Sequence, residues 1–263
     1  NRSTVPLSQT CQLVEISRMV KPIRPLSHGV AIRPGHPVVL GIVGGKPIFG
    51  IPGYPVSAAL TSELFVKPIV EKVLGLPPSL PDKIKATVTR KIVSPMGEDE
   101  FVRVTLGKVY GKIVATPLQR GAGVIMSLVK ADGLASIPRF SEGVDVGTEI
   151  DVDLLRPLKK IENTIVITGS HDLTLDLLAS RLSNINHRIS LSSSNLGSLG
   201  GLMALARGEA HLAGSHLLDA KSGEYNLSFI RKYLKNKDIV VVNLVKREQG
   251  LIVAKGNPSN LSS

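Results

Sequence analysis

Tryptophan is absent from the 263 residues, and only four tyrosines and five phenylalanines are present. Base-stacking platforms are therefore scarce, which argues against single-stranded nucleic-acid binding. There is one cysteine, Cys11. It excludes an internal disulfide, fits a reducing compartment, and reads as structural. No apolar run approaches the ~20 residues that a membrane helix needs, and residues 1–27 hold no continuous apolar core of a signal peptide. A soluble, cytoplasmic protein with no membrane partner is expected. Acidic residues are in deficit, 21 against 32 basic, for a formal charge of +11. The positive charge is dispersed, which suits a phosphate or another small anion. No helix-turn-helix or aromatic-basic motif accompanies it, so nucleic acid ranks last among partners. His171, His211 and His216 follow no zinc spacing and have no cysteine beside them, so no metal site is expected.

What is present is aliphatic. Hydrophobic residues make up 43% and charged residues 20%, so cores must be built from Val, Ile, Leu and Ala. The length suits two or three small cores better than one. The pattern divides the chain in three. Residues 1–76 read as α/β. An amphipathic run (12–20) and a Pro-interrupted stretch lead to two strands (38–43 and 46–51) joined by Gly44-Gly45, a hairpin signal. The turn Pro52-Gly-Tyr-Pro55 then enters a helix from about 56 to 74, closed by Gly75. A Pro-rich linker follows from Leu76. Residues 77–158 alternate with period two, punctuated by Gly, Pro and Asp, and predict an all-β barrel or sandwich without helix. Its expected strands are 84–88, 101–106, 112–116, 125–129, 133–138 and 147–154. Residues 159–263 alternate strand and helix, the pattern of a parallel sheet. The strands are expected at 164–168, 189–192, 211–214 and 239–245, the helices at 173–182, after Asn195-Leu-Gly-Ser-Leu-Gly200 through 207, and near 227–234.

Two loops in the first segment hold candidate chemistry. Ile32-Arg-Pro-Gly-His-Pro37 stiffens a turn that carries Arg33 and His36 together. Ile51-Pro-Gly-Tyr-Pro-Val-Ser57 enters a helix, where Tyr54 or Ser57 can fill orphan N–H groups and the dipole favours an anion. Two ordinary Pro-Gly turns account for the same residues.

The stretch GVAIRPGHPVVLGIVGGKPIFGIPGYPVSA (29–58) resembles the signature region of MoeA and gephyrin-type molybdopterin molybdenumtransferases, which reads roughly hxhxPGKP…GKPhhGLPGNPVSA with h apolar. Glu100-Phe-Val-Arg103, Gly121-Ala-Gly123 and Ala131-Asp-Gly133 resemble that family's C-terminal β-barrel domain. The likeness runs over about 29–155. It implies that adenylated molybdopterin and molybdate or tungstate are the substrates, that the complete enzyme uses magnesium, and that the protein is a homodimer. It places Arg33 and His36 at the family's two loop lysines, and Pro52 and Pro55 at its two prolines. Tyr54 stands where Asn is usual, Ser57 ends the Pro-Val-Ser, Arg103 matches the barrel arginine, and Ala122 falls where serine is common. These residues are the candidate pterin-binding set; no catalytic residue is assigned. The family's Gly-rich loop and acids are absent from residues 1–27, where Glu15 is the only acid. The chain therefore reads as the tail half of the enzyme, inactive alone.

The third segment, through TGSHDLTLDLLASRL (168–182) and SNLGSLGGLMALARGEAHLAGSHLLD (194–219), is similar to type II periplasmic-binding-protein folds fused to some MoeA proteins, and to LysR effector domains. Residues 223–226 and 247–258 continue the likeness. About one lobe of such a fold is present. Gly169-Ser-His-Asp172 and Asn195-Leu-Gly-Ser198 each join a strand to a helix N-terminus, where N–H groups and hydroxyls suit an oxyanion. Gly169, Ser170, His171, Gly197 and Ser198 are the candidates. Capping by Asp172 and Ser198 explains the same residues without a ligand. His216 is expected to orient a loop at the sheet edge. Molybdenum insertion with an accessory oxyanion-binding domain is the leading expectation; a non-catalytic oxyanion-binding or scaffold protein is the alternative.

Overall fold

The structure, a computed structural model, describes residues 24–121, 123–235, 237–246 and 252–258. The amphipathic run at 12–20, Cys11, Ala122 and part of the 247–258 likeness lie outside them. The first sheet is antiparallel, in the order β1 (Arg24–His28), β3 (Val39–Val43), β4 (Lys46–Gly50). β1 falls in the stretch read as Pro-interrupted. Gly44 and Gly45 turn the hairpin with φ of 54° and 77°, the left-handed pair that matches strand twist. Between β1 and β3 the chain leaves this sheet as β2 (Ile32–Arg33), which joins the next one.

The helix after the second Pro-Gly loop forms as expected but is not uniform. It runs as α1 (Pro55–Thr61), a π-turn (Ser62–Val66) and α2 (Lys67–Val73). Pro68 has no N–H for the i−4 carbonyl and its ring would clash with it, so the ladder widens before it.

The second unit is a closed barrel of five strands: β7 (Asp99–Val109), β8 (Lys112–Pro117), β5 (Lys83–Val88), β11 (Glu149–Leu154) and β9 (Gly133–Ile137), the last returning to β7. β2 adds to the first two residues of β7. Val88, Val104, Leu106, Ala115, Ala135 and Val152 fill the interior. On the outside, the register opposes Lys85 to Asp151 and Lys83 to Asp153, pairing charges across strands at 3.2 and 3.5 Å. A small ribbon, β6 (Ile92–Val93) with β10 (Gly143–Val144), stands beside the barrel.

One element here differs from the reading. Residues 125–129, expected as a strand, form the helix α3 (Met126–Lys130), with the Ser127 hydroxyl donating to Val124 O at 2.6 Å. A short apolar run does not discriminate strand from helix by period. α4 (Leu158–Glu162) adds Ile161 to the barrel core.

The third unit is parallel throughout: β12 (Thr164–Gly169) lies between β13 (Ser190–Asn195) and β14 (Leu212–Gly214). α5 (Leu173–Ile185) and α6 (Gly197–Arg207) make the crossovers, and α7 (Leu227–Tyr233) follows. The strand expected at 239–245 does not form. Those residues are irregular, with Val240 and Val242 almost fully exposed. Their β-branched side chains favour a strand, yet a strand persists only where its N–H and C=O groups find a ladder.

β7 ties the units together. Its inward residues Val102, Val104 and Leu106 belong to the barrel core. At its far end, Val109 packs with Val114, Val166, Ala204 and Ala210 in a second cluster shared with the parallel sheet. Gly107 lies so close to Val166 that a Cβ there would collide with its Cγ2. Lys108, beside this seam, reaches Glu162 of α4 at 2.7 Å.

Candidate functional site

A cleft of about 1450 Å³ opens between the two Pro-Gly loops and the barrel. The β3–β4 hairpin contributes Val39, Ile48 and Phe49; the loops contribute Arg33, His36, Pro52, Tyr54 and Ser57; the barrel side contributes Val93, Ser94, Glu98, Glu100, Phe101, Arg103 and Arg120. Two loops and a strand far apart in sequence meet because β2 leaves the first sheet to extend β7 beside Asp99 and Glu100. Arg33, His36, Pro52, Tyr54, Ser57 and Arg103, all singled out in the sequence, therefore face one space. Pro55 does not line it and sits instead at the first turn of α1, where a missing N–H costs nothing. Neither Tyr54 nor Ser57 caps that helix; its N-terminal residue Tyr54 makes no side-chain cap bond.

The cleft's electrostatics are set by buried groups. Arg103 is 4% exposed and its Nε has no hydrogen-bond partner. Burial draws its guanidinium below the ordinary value, with Glu100 opposing, yet it stays cationic. Glu100, also buried, accepts from Arg120 Nη1 at 3.0 and 3.3 Å, and the same nitrogen donates to Val93 O. His36 Nδ1 lies 2.9 Å from Glu98 Oε1. Ser94 Oγ is a second buried polar atom without a partner. Each buried orphan costs about 1–3 kcal/mol unless something polar meets it. The arrangement is an apolar slot with three arginines, suited to a flat ring bearing an anionic group.

Arg120, Glu98 and Ser94 were not singled out in the sequence, and Glu100 appeared only within the motif Glu100-Phe-Val-Arg103, without a role. Arg120 carried a usable signal, a cation directly before Gly121-Ala-Gly123. Ser94 carried none.

The second group of candidates gathers at the carboxyl ends of β12, β13 and β14. Gly169, with φ of 117°, lies against Gly214, and a Cβ there would meet the Gly214 carbonyl. Ser170 N–H donates to Gly214 O at 2.8 Å and Leu196 N–H to Gly169 O at 3.0 Å. Asp172 Oδ1 caps α5 by accepting Thr174 N–H at 2.8 Å. Gly197 N–H donates to Asn195 Oδ1 at 3.2 Å. Ser198 does not cap: its Oγ meets His216 Nδ1 at 3.2 Å and accepts the His216 N–H at 3.1 Å. His216 thereby fixes the loop after β14 to α6. His171 Nε2 lies 3.9 Å from Asp176. The backbone N–H of Ser170 and the hydroxyl of Ser198, counted from sequence as open donors, are thus engaged within the protein. Among the described residues no group of three or more His, Cys, Asp or Glu is placed to hold a metal ion.

Residues 85–155 match the model of the MoeA C-terminal region (domain IV), and residues 179–263 match that of a PBP superfamily domain. The chain thus carries a stretch similar to the MoeA C-terminal region, followed by one similar to a PBP superfamily domain. The MoeA match covers the barrel; the PBP-like match begins within α5. A Methanocaldococcus jannaschii protein assigned by name to molybdopterin biosynthesis is 38% identical over 49% of this chain and 29% of its own length. Molybdopterin molybdenumtransferase 2 of Mycobacterium tuberculosis is 33% identical over 47% of this chain and 30% of its own. The molybdopterin molybdenumtransferase of Staphylococcus aureus is 31% identical over 54% and 34%. The chain spans about a third of the length of these curated relatives. A solved MoeA structure from Pyrococcus horikoshii aligns over 50% of this chain and 32% of its own, at 32% identity and a TM-score of 0.42. No helix among the described residues is long and apolar enough to cross a membrane.

Proposed function

We propose that this chain serves molybdenum cofactor biosynthesis, as the part of a molybdopterin molybdenumtransferase that walls one side of the pterin site. The observation that carries this is Arg103, a buried cation with an unpartnered Nε, in the lining of the cleft beside Arg33 and Arg120. In this reading Arg103 and Arg33 hold the phosphate of adenylated molybdopterin, and Phe101 and Tyr54 flank its ring system. His36, on the first loop, stands exposed at the cleft's edge and Ser57 lies buried in its wall, with Pro52 and Pro55 setting the second loop. Molybdate or tungstate enters as substrate for insertion into the dithiolene. The proposed division is a molybdopterin-binding α/β part over 1–76, the barrel over 77–158 and the PBP-like unit over 159–263, in a cytoplasmic homodimer. In this reading the last unit is an accessory oxyanion domain through Gly169, Ser170, His171, Gly197 and Ser198, whose Ser170, Gly197 and Ser198 donors exchange their internal partners for the anion on binding. Magnesium is not accommodated by these residues. Glu98 and Glu100, the cleft's carboxylates, are already paired with His36 and Arg120, and no step is assigned to a metal.

Those two ion pairs also favour the second reading. With both carboxylates engaged, the described wall of the cleft offers no unpaired carboxylate as general base and binds and orients, as a binding or scaffold protein would.

Anaerobic calorimetric titration with molybdopterin tests the first reading. Saturable binding is expected, weakened about tenfold or more in Arg103→Ala, since a hydrogen bond to a charged group contributes ~1.5–3 kcal/mol. Absence of binding by the folded wild-type chain sinks it. Titration with molybdate and tungstate, alongside Ser170→Ala and Ser198→Ala, tests the accessory domain in the same way.

A further inference from the structure

We propose, resting on the reading of the cleft as an anion site, that Arg120 is its pre-organised anion-binding residue and that buried Glu100 is the positioning residue that holds it ready. The ligand chemistry is an anionic oxygen group, either the phosphate of a pterin or a free tetrahedral oxyanion. Arg120 follows β8 by three residues, and the chain leaves that strand tied to β7, where Leu118 N–H donates to Arg103 O at 2.9 Å. Its guanidinium is held through one nitrogen. Nη1 donates to the two Glu100 oxygens, at 3.0 and 3.3 Å, and to Val93 O. Glu100 and Val93 line the cleft, as Arg120 does.

A guanidinium carries N–H groups on all three nitrogens. Those of Arg120 on Nε and Nη2 have no partner among the described residues, and the side chain is 43% exposed. They are open to a ligand, while the entropy of ordering this long side chain is already lost in the free protein. The other two arginines differ. Arg33 is exposed and has no side-chain partner among the described residues, so an anion must order it on binding. Arg103 is buried as far as its Nε, which limits what a ligand reaches. Glu100, with a side chain only 7% exposed, is a carboxylate that accepts and cannot itself hold an anion. Pairing with Arg120 offsets its charge, so Arg103, Glu100 and Arg120 together keep one net positive charge. Were charge the whole effect, removing the Glu100 carboxylate would tighten anion binding. As the anchor of Arg120, its removal loosens binding instead.

The test is calorimetric titration of the full chain at low ionic strength. One titrant is molybdopterin, under anaerobic conditions, which brings a phosphate; the other is molybdate, the free anion. Wild type, Arg103→Ala, Arg120→Ala, Arg120→Lys, Glu100→Met, Glu100→Gln and the double variant Glu100→Met with Arg120→Ala are compared, each first shown to unfold cooperatively in urea. Arg120→Ala should weaken binding about tenfold or more, the scale of one hydrogen bond to a charged group. Arg120→Lys should recover only part of this, since an ammonium cannot serve anchor and ligand as a planar fork. Glu100→Met should weaken binding several-fold although it makes the cleft more positive, and Glu100→Gln, which keeps an acceptor for Arg120, should restore it. With Arg120→Ala already in place, Glu100→Met should weaken binding no further. A loss confined to molybdopterin assigns Arg120 to the phosphate, one confined to molybdate assigns it to the free oxyanion, and each supports the proposal. Tighter binding in Glu100→Met overturns the positioning role. Wild-type affinity of Arg120→Ala for both titrants overturns the proposal, and a loss in Arg103→Ala then leaves the anion-site reading standing. No binding of either titrant by the wild type overturns both.

Discussion

Asp132 sits under the barrel, 8% exposed, and accepts the Leu106 N–H at 3.1 Å. Burial pushes its carboxyl above the ordinary value, against the opposing Leu106 hydrogen bond and the charges of Lys160 and Arg156. Over the interval between the ordinary and the raised value, the native state binds more protons than the unfolded one. Its contribution to stability is therefore full at low pH and lost as pH rises through the raised value. Asp132→Asn removes that dependence while keeping an acceptor for Leu106. Urea unfolding at about pH 4, 5.5 and 7 should show the variant gaining on the wild type as pH rises. A difference independent of pH contradicts this account. Asp99 behaves in the opposite sense: Arg139, by a side-chain and a backbone hydrogen bond, holds its carboxyl below the ordinary value. That contribution is lost only as pH falls below the usual carboxylate range.

Among the elements, α5 was the most legible, because its cap is written in the sequence. Asp172 precedes an apolar-periodic run and accepts the Thr174 N–H. Asp172→Ala should cost about 1 kcal/mol, measured as a drop in the urea midpoint; no change would mean the cap bond contributes nothing net. The β3–β4 hairpin was equally plain, since Gly-Gly between two aliphatic runs permits few other structures. Residues 125–129 and 239–245 were misread for one reason. Both are short runs of Val, Ile, Leu and Met, and their local preference is weak beside what surrounds them. The first is wound into α3 beneath the barrel's end, while the second meets no strand among the described residues. The π-turn before α2 was implicit in Pro68, but its placement over Ser62–Val66 followed from the helix continuing beyond the proline.

For the whole molecule, the decisive feature is the seam between barrel and parallel sheet. Gly107→Ala sets a methyl against Val166 Cγ2, where β-branched stiffness leaves little room to yield. A loss of about 1–3 kcal/mol is expected from overpacking. A second, earlier unfolding transition should also appear as the two units separate. Unchanged single-transition unfolding would show that the seam does not couple them. His211 lies on the same seam, accepting the Val166 N–H at its Nδ1 at 3.0 Å and hydrogen-bonded to the Lys108 backbone. Burial holds its imidazole below the ordinary value, so the native state takes up its proton later than the unfolded chain. Stability from this group is present above about pH 6.5 and lost as pH falls from there towards its depressed value. His211→Gln should flatten the stability profile between about pH 5 and 7; a profile as steep as the wild type's would locate the titration elsewhere.

By itself the sequence determined the alternation of α/β, largely β and parallel α/β structure, the two Pro-Gly loops and the Asp172 cap of α5. These depend on period, turn chemistry and backbone sterics, which act over a few residues. It also supplied Arg33, His36 and Arg103 through their motifs. Only the tertiary structure decided that β2 would leave its own sheet to extend β7, which brings the loops over Arg103. It alone paired Glu98 with His36 and Glu100 with Arg120, left Arg103 Nε and Ser94 Oγ buried without partners, and turned Ser198 towards His216. Such contacts join residues tens of positions apart, and their partners are chosen by packing and burial, for which no local pattern exists.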